Sequence, residues 1–241
     1  MAINNENLNF NVIKNFWKIQ SLKSNNRWTE RSLLDFEIQQ IRNIFVGVQI
    51  RKILDLGSGT GTLSKSLVDD TCTLDAVDYQ DSYRNFFVGD PRLSFFKSDV
   101  RNFRSDSLYD LILFFGVTTH LDIESEEKAL NSISEMLNES GIAVVKLQCS
   151  DSESFIFNGF SKELGMEYSG RYPSRQEQRK RLLKFFTSVE ELGYPASMKM
   201  HKNTSHVMFV CRNNEKNYAE YLEIFSEKKT YLFVIFKNSN S

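Results

Sequence analysis

The residues best suited to chemistry lie along Asp55-Leu56-Gly57-Ser58-Gly59-Thr60-Gly61. A short apolar run closes on an acid. Glycines alternate with small polar residues, and Leu63 and Leu67 follow at helical spacing. Glycine has no Cβ, so the backbone can turn sharply here and a ligand can come close to it. A helix starting just after the turn aims its free N–H groups at whatever occupies the loop. The pattern reads as strand, turn and helix around a nucleotide-like ligand. A G-K-[ST] ending is missing, which excludes a P-loop. The G-x-G-x-G spacing also departs from the G-x-G-x-x-G of dinucleotide sites.

Further acids follow at the ends of apolar runs. Asp78 closes 73–77, and a carboxylate there can accept from two neighbouring hydroxyls. The competing role is a turn or cap aspartate. Asp75 is its rival but falls inside the run. Asp99, in Ser98-Asp99-Val100, closes another run, and Asp is also common in turns. His120 follows the most apolar run and reads equally as a base or as a structural histidine. His201 and His206 flank Asn203-Thr204; one of them can face a ligand, and His206 can equally pack at the sheet edge. Histidines scattered in this way have no metal-ligand spacing, so no metal is expected. Arg171, Tyr172, Arg175, Arg179, Lys180 and Arg181 form a basic patch. Arg171 and Arg175, near a helix N-terminus, read as a clamp for a phosphate or carboxylate, with Tyr172 and Arg175 favoured for the acceptor, and Arg179–Arg181 as a solvated helix face balanced by Glu177.

Elements must position these groups. Residues 1–11 read as frayed. A helix is expected over 12–22, with Ile13, Phe16, Trp17 and Gln20 on one side, and another over 29–45 on Leu34, Ile38, Ile41 and Phe45. Trp17 and Trp28 read as packing, or as part of a lid. Strands are expected over 51–56, 73–77, 93–96, 108–115 and 142–147. Helices are expected over 62–68, 82–87 and from an Asp122 cap to 138, with Gly141 as the stop. This alternation implies βαβ units and a parallel sheet. Residues 151–170 show no regular pattern. Ser174 and Glu177 form a capping box for a helix to 186. Strands at 187–192 and 205–211 follow, then a helix over 215–228 and a strand over 231–236.

The loop, Asp78, Ser98-Asp99-Val100 and the strand Tyr109-Asp110-Leu111-Ile112-Leu113 together resemble class I S-adenosylmethionine-dependent methyltransferases, over about 51–211. The resemblance implies an α/β fold: a doubly wound, mostly parallel seven-stranded sheet with helices on both faces. Around the 51–212 core it leaves an N-terminal helical cover (1–50) and a C-terminal helix–strand addition (213–241), all in one domain. It also implies that S-adenosylmethionine is the cofactor and S-adenosylhomocysteine its product. The implied cofactor-binding residues are Asp55, Gly57, Ser58, Gly59, Gly61, Asp78, Tyr79, Asp99, Val100, Phe115 and Gly116. Asp78 would take the ribose hydroxyls, Asp99 the adenine amino group, and Val100 would line the ring. A sulfonium cofactor carries no phosphate, so the loop needs no lysine. The acceptor would sit at the carboxyl ends of the strands, with His120 as base and Tyr172, Arg175, His201 and His206 binding substrate.

Composition narrows the partners. A formal net charge of -1 over 241 residues offers no surface for a polyanion, so no nucleic-acid partner is expected. The 3 cysteines, Cys72, Cys149 and Cys211, match no zinc or redox spacing. The Asn-rich start lacks a secretion pattern, and no apolar run is long enough to span a bilayer. The expectation is a cytoplasmic monomer or homodimer that methylates O or N of a small polar metabolite, phosphorylated or sugar-like. The alternatives are an RNA or protein methyltransferase, and a silent protein that only binds the cofactor.

Overall fold

The apolar run ahead of Gly116 becomes the middle of the sheet. In the computed structural model, which describes residues 7–22, 31–45, 49–199 and 201–214, five strands run parallel. They are β1 (Lys52–Leu56), β2 (Thr73–Asp78), β3 (Leu93–Lys97), β4 (Tyr109–Phe115) and β5 (Leu137–Ser150). A separate hairpin, β6 (Phe155–Ser161) and β7 (Met166–Tyr172), follows. Strands β8 (Ser188–Gly193) and β9 (Thr204–Arg212) complete the seven-stranded sheet in the order β3-β2-β1-β4-β5-β9-β8, with β9 antiparallel to both neighbours. The order reverses between β1 and β4. Such a switch point leaves a crevice at the carboxyl ends of the strands.

Side chains alternate along each strand, so β4 feeds two cores. Ile112 and Phe114 pack with Leu130 and Ile133 of α4 (Ile123–Met136) and Leu182 of α5 (Arg175–Leu182). Leu111 and Leu113 pack on the other face with Ile41 and Ile44 of α2 (Arg31–Ile44). On each face, burying both partners removes apolar area from water at about 25 cal/mol per Å². Helix α1 (Phe10–Ser21), capped by Asn9, lies against β7 and buries Ile13, Phe16 and Gln20, as its spacing predicts.

Several elements differ from the sequence reading. Helix α1 starts at Phe10, inside the stretch read as frayed. The helix after the glycine loop, α3 (Thr62–Lys65), is a single turn rather than a run to 68. Residues Asp81–Phe86 form a 3-10 turn. Gly141 stops no helix: α4 passes directly into β5, and a Cβ on Gly141 would lie 2.6 Å from the Tyr109 carbonyl oxygen. The buried side of α2 is Leu33, Glu37, Ile41 and Ile44, one position away from the Leu34–Ile38 stripe, because Glu37 is paired inside the fold. The hairpin occupies the segment that showed no pattern. Strand β6 is apolar on both sides at Phe155, Ile156 and Phe157, which blurs its period-2 signal, whereas β7 alternates Met166, Tyr168 and Tyr172 with Glu167, Ser169 and Arg171. Helix α5 ends at Leu182 rather than 186.

The free thiols Cys72, Cys149 and Cys211 are buried. Among the described residues no helix is long and apolar enough to cross a membrane, and no cluster of His, Cys, Asp and Glu could hold a metal. Trp28, the expected helix over 215–228 and the strand over 231–236 lie outside the described residues.

Candidate active site

The glycine loop is held from both sides. Gly57 and Ser58 donate their backbone N–H groups to the Val77 carbonyl at 2.8 and 3.0 Å, which ties the loop to the end of β2. Gly57, Gly59 and Gly61 have φ of +81°, +52° and +65°, a region that penalises any Cβ. At Gly57 the requirement is also steric: an added Cβ would lie 2.3 Å from Val117 Cγ2. The loop after β1 therefore touches the segment after β4. Gly116, at the head of that segment, faces open space, with no atom within 4 Å of where its Cβ would be.

Asp78 points into the loop. Its Oδ2 accepts from Gly59 N–H at 3.0 Å and its Oδ1 from Gln80 N–H at 2.8 Å. Burial raises its pKa, and these backbone donors act against the rise. A carboxylate has about four acceptor positions, so two remain for a pair of hydroxyls. The Ser58 hydroxyl is buried with no partner among the described residues, so the loop has polar capacity to offer a ligand. An adenosine and an amino acid head group fit these residues. Tyr79 is exposed directly after Asp78. Asp99 is bound by its neighbour: Arg101 Nε lies 2.9 Å from Oδ1 and 3.0 Å from Oδ2, and the pairing lowers the Asp99 pKa. An amino group binding Asp99 would share that carboxylate with Arg101. Val100 packs on the α4-side core and Phe115 on the α2-side core.

Asp55 is buried at the end of β1, and burial pushes its pKa to about 7, against a lowering bond from Ser64, with Asp78 adding to the rise. An acid whose folded pKa is raised stabilises the fold below its unfolded pKa, and that contribution is lost as pH rises through about 7. Asp55→Asn keeps the shape without the charge. It should raise the melting temperature by several degrees at pH 8, an effect of up to ~4 kcal/mol, and the gain should fade towards pH 4. A melting series of both proteins across that range would refute the buried-charge account if the gap were independent of pH. The same variant should bind S-adenosylhomocysteine more weakly if Asp55 orients the loop or meets the head group.

His120 ends a 3-10 turn, Thr118–His120, directly after β4. Its Nδ1 lies 3.2 Å from the Ser169 carbonyl of β7. A carbonyl only accepts, so Nδ1 carries the proton and Nε2 the lone pair. Phe16, Trp17 and Tyr168 surround the ring at centroid distances of 6.2, 5.3 and 5.5 Å. Burial lowers the His120 pKa to about 4. Trp17 is thus packed into this aromatic group.

The basic patch divides. Arg171 is buried and bonds Glu126 and the Leu121 carbonyl, the latter at 3.2 Å. Arg181 is buried as well, with Nη1 3.3 Å from Glu126 and Nη2 paired to Glu177. Gln178 completes the group at 2.7 Å from Glu126. The solvated-face reading thus fails for Arg181. Two carboxylates hold it: Glu177, the expected partner, and Glu126 on α4, far away in sequence. Arg179 remains exposed and pairs with Glu191 at 3.7 Å. The reciprocal half of the expected capping box is also missing: Ser174 caps Glu177 N–H at 3.2 Å, while Glu177 turns to Ser154 and Arg181. Tyr172 stacks on Phe155 at 5.0 Å, and Arg175 is exposed at the start of α5. His201 lies 3.4 Å from Glu163. His206 is buried on β9, its ring 5.3 Å from Tyr194. Burial, with Lys146 adding to it, lowers its pKa to about 3. Tyr172, Arg175, His201 and His206 thus stand in different immediate surroundings, with His201 close enough to act on His206 electrostatically. Lys146 and Glu37, which the sequence reading did not single out, stand beside His206 as well.

Residues 53–141 match the family model described as a methyltransferase domain. No curated protein sequence matches the chain. Among solved structures the fold is similar to 1,6-didemethyltoxoflavin-N1-methyltransferase of Burkholderia thailandensis, solved with 1,6-didemethyltoxoflavin and S-adenosylhomocysteine, at TM-score 0.67 and 17% identity over 85% of this chain and 88% of that one. It is also similar to the N-methyltransferase NodS of Bradyrhizobium japonicum WM9 with S-adenosylhomocysteine (TM-score 0.61, 16% identity, 82% and 97% covered). A third is the glycopeptide N-methyltransferase MtfA with S-adenosylmethionine (TM-score 0.59, 14% identity, 73% and 92% covered). The chain shares the fold of these methyltransferases, and its residues 53–141 match the methyltransferase-domain model.

Proposed function

We propose that this protein transfers a methyl group from S-adenosylmethionine to an oxygen or nitrogen of a small polar acceptor. The observation that carries this reading is the contact of Gly57 with Val117, which sets the glycine loop against the segment bearing Gly116 and His120. The cofactor, when bound, supplies a methyl group already activated on a sulfonium, so alignment of the acceptor does most of the work. Asp78 holds the two ribose hydroxyls, the Ser58 hydroxyl meets the head group, and Asp99 and Val100 border the adenine. His120 accepts the acceptor's proton on Nε2, with Nδ1 anchored to Ser169. Tyr172 and Arg175 meet the distal part of the acceptor, Arg175 being an exposed cation at the start of α5.

Calorimetry with S-adenosylhomocysteine and with NAD tests the reading at its base. Binding of the first and not the second is expected; no binding of the first overturns it. With an acceptor in hand, His120→Gln should cut kcat by ~100-fold or more while leaving S-adenosylhomocysteine affinity intact. A base that stays neutral down to about pH 4 gives a rate that is flat from pH 8 to 6 and falls only near pH 4. A fall centred near pH 6.5 would mean that a solvated group, and not this histidine, is the base.

A further inference from the structure

Four titratable side chains from separate parts of the chain converge at the carboxyl edge of the sheet, on the α2 side. Lys146 of β5 lies opposite Phe115, the last residue of β4, and its carbonyl accepts the Gly116 N–H at 2.8 Å. Its Nζ lies 3.0 Å from Oε1 of Glu37 on α2, with side-chain exposures of 12% and 7%. The Tyr194 hydroxyl donates to the same Oε1 at 2.8 Å. His206 packs its ring on Tyr194, and Lys146 Nζ lies 6.0 and 5.9 Å from the Phe115 and Tyr194 rings.

Such a group is an expensive way to hold a sheet to a helix. Taking two charges out of water costs several kcal/mol for each ion, and apolar residues of similar volume usually stabilise as well or better. The α2 face is otherwise apolar around it, through Ile41, Ile44, Val144 and Met208. An ammonium carries three protons, and among the described residues Glu37 is the only hydrogen-bonding partner of Lys146 Nζ. The pair is neutral overall, with donors on one side and a carboxylate on the other. A hydroxyl, which both donates and accepts, matches that pair better than an anion does. The rings of Phe115 and Tyr194 offer flat apolar faces beside it. Lys146 is hydrogen-bonded to Gly116, which borders open space at the mouth of the proposed methyl site.

We propose that Lys146 and Glu37, with Tyr194 and Phe115 as side walls, bind a hydroxyl-bearing ring of the acceptor and set which of its atoms faces the methyl group. This rests on the methyltransferase reading and specifies its acceptor as polyhydroxylated. Lys146 and Glu37 are specificity-determining here, while His120 remains the proton acceptor.

Saturation-transfer NMR on the protein loaded with S-adenosylhomocysteine tests this, using methyl gluco-, manno- and galactopyranosides as probes and citrate as the anionic control. At least one glycoside should give a signal with the wild type. Lys146→Met and Glu37→Gln should each weaken its binding ~10-fold or more, and Tyr194→Phe by less, since it removes only a supporting bond. Affinity for S-adenosylhomocysteine should stay within ~3-fold of wild type in all three. The inference is overturned if no glycoside binds the loaded wild type, if binding survives both charge-removing substitutions, or if citrate alone binds and Glu37→Gln strengthens it. Loss of S-adenosylhomocysteine binding by the wild type would instead overturn the methyltransferase reading itself. Thermal melts identify a variant that fails to fold; Tyr194→Phe, which leaves the ion pair in place, then carries the test through its smaller loss.

Discussion

Asp78→Ala should reduce affinity for S-adenosylhomocysteine by at least ~100-fold. Two hydrogen bonds from ribose hydroxyls to a charged, buried acceptor contribute ~1.5–3 kcal/mol each. The substitution removes more than those bonds. Asp78 also accepts from Gly59 and Gln80, so the loop loses the anchor that holds Gly59 towards the ligand. The fold should persist, because Asp78 stands at the end of β2 and the core residues Leu74, Ala76 and Val77 are untouched. Asp78→Asn keeps one acceptor oxygen and should lose less. Calorimetry of the three proteins decides the matter: equal affinity for all of them would remove Asp78 from the cofactor site.

The second large effect is at Gly57. Alanine there must adopt a φ of +81°, costing ~1–2 kcal/mol, and its Cβ would overlap Val117 Cγ2 at 2.3 Å. Overpacking of that kind typically costs another ~1–3 kcal/mol. Gly57→Ala should therefore lower the melting temperature by several degrees and weaken S-adenosylhomocysteine binding more than ~10-fold, since the loop must move from the segment after β4. The two costs separate in a double variant. Adding Val117→Ala removes the overlap but not the backbone strain, so stability and affinity should return in part. Two losses that simply added would show that the Gly57–Val117 contact does not couple the two loops.

The basic patch shows why spacing misleads where partners are remote. Arg171, Arg175, Arg179 and Arg181 stand close together in sequence, and helical geometry alone puts some of them on one face. What divides them is Glu126, more than forty positions away, fully buried and within reach of Arg171 and Arg181 but not of the other two. Charge on the helix was legible; the carboxylate that meets it was not. The same holds for α2. The sequence reads an apolar stripe through Leu34 and Ile38 because glutamate is rarely buried without a partner, and that partner, Lys146, lies on β5, far along the chain. A trace was available: Lys146 is the single charged residue in the apolar run 142–147. The β7 strand of the hairpin did leave a trace, with Met166, Tyr168 and Tyr172 alternating with Glu167, Ser169 and Arg171, but β6, apolar on both sides at Phe155, Ile156 and Phe157, carries no such period.

Local patterns nevertheless settled much of this protein. Glycines at a strand end demand positive φ, acids close β2 and the turn after β3, and continuous apolar runs demand burial on both faces; each of these follows from a residue and its neighbours in sequence. They determined the parallel sheet and the loop. Only the tertiary structure decided that Val117 closes on Gly57, that Ser169 selects the proton position on His120, and that Glu37, Lys146, Tyr194 and His206 meet beside Gly116. Those contacts join residues many tens of positions apart, and their energy depends on burial, which no stretch of sequence carries by itself.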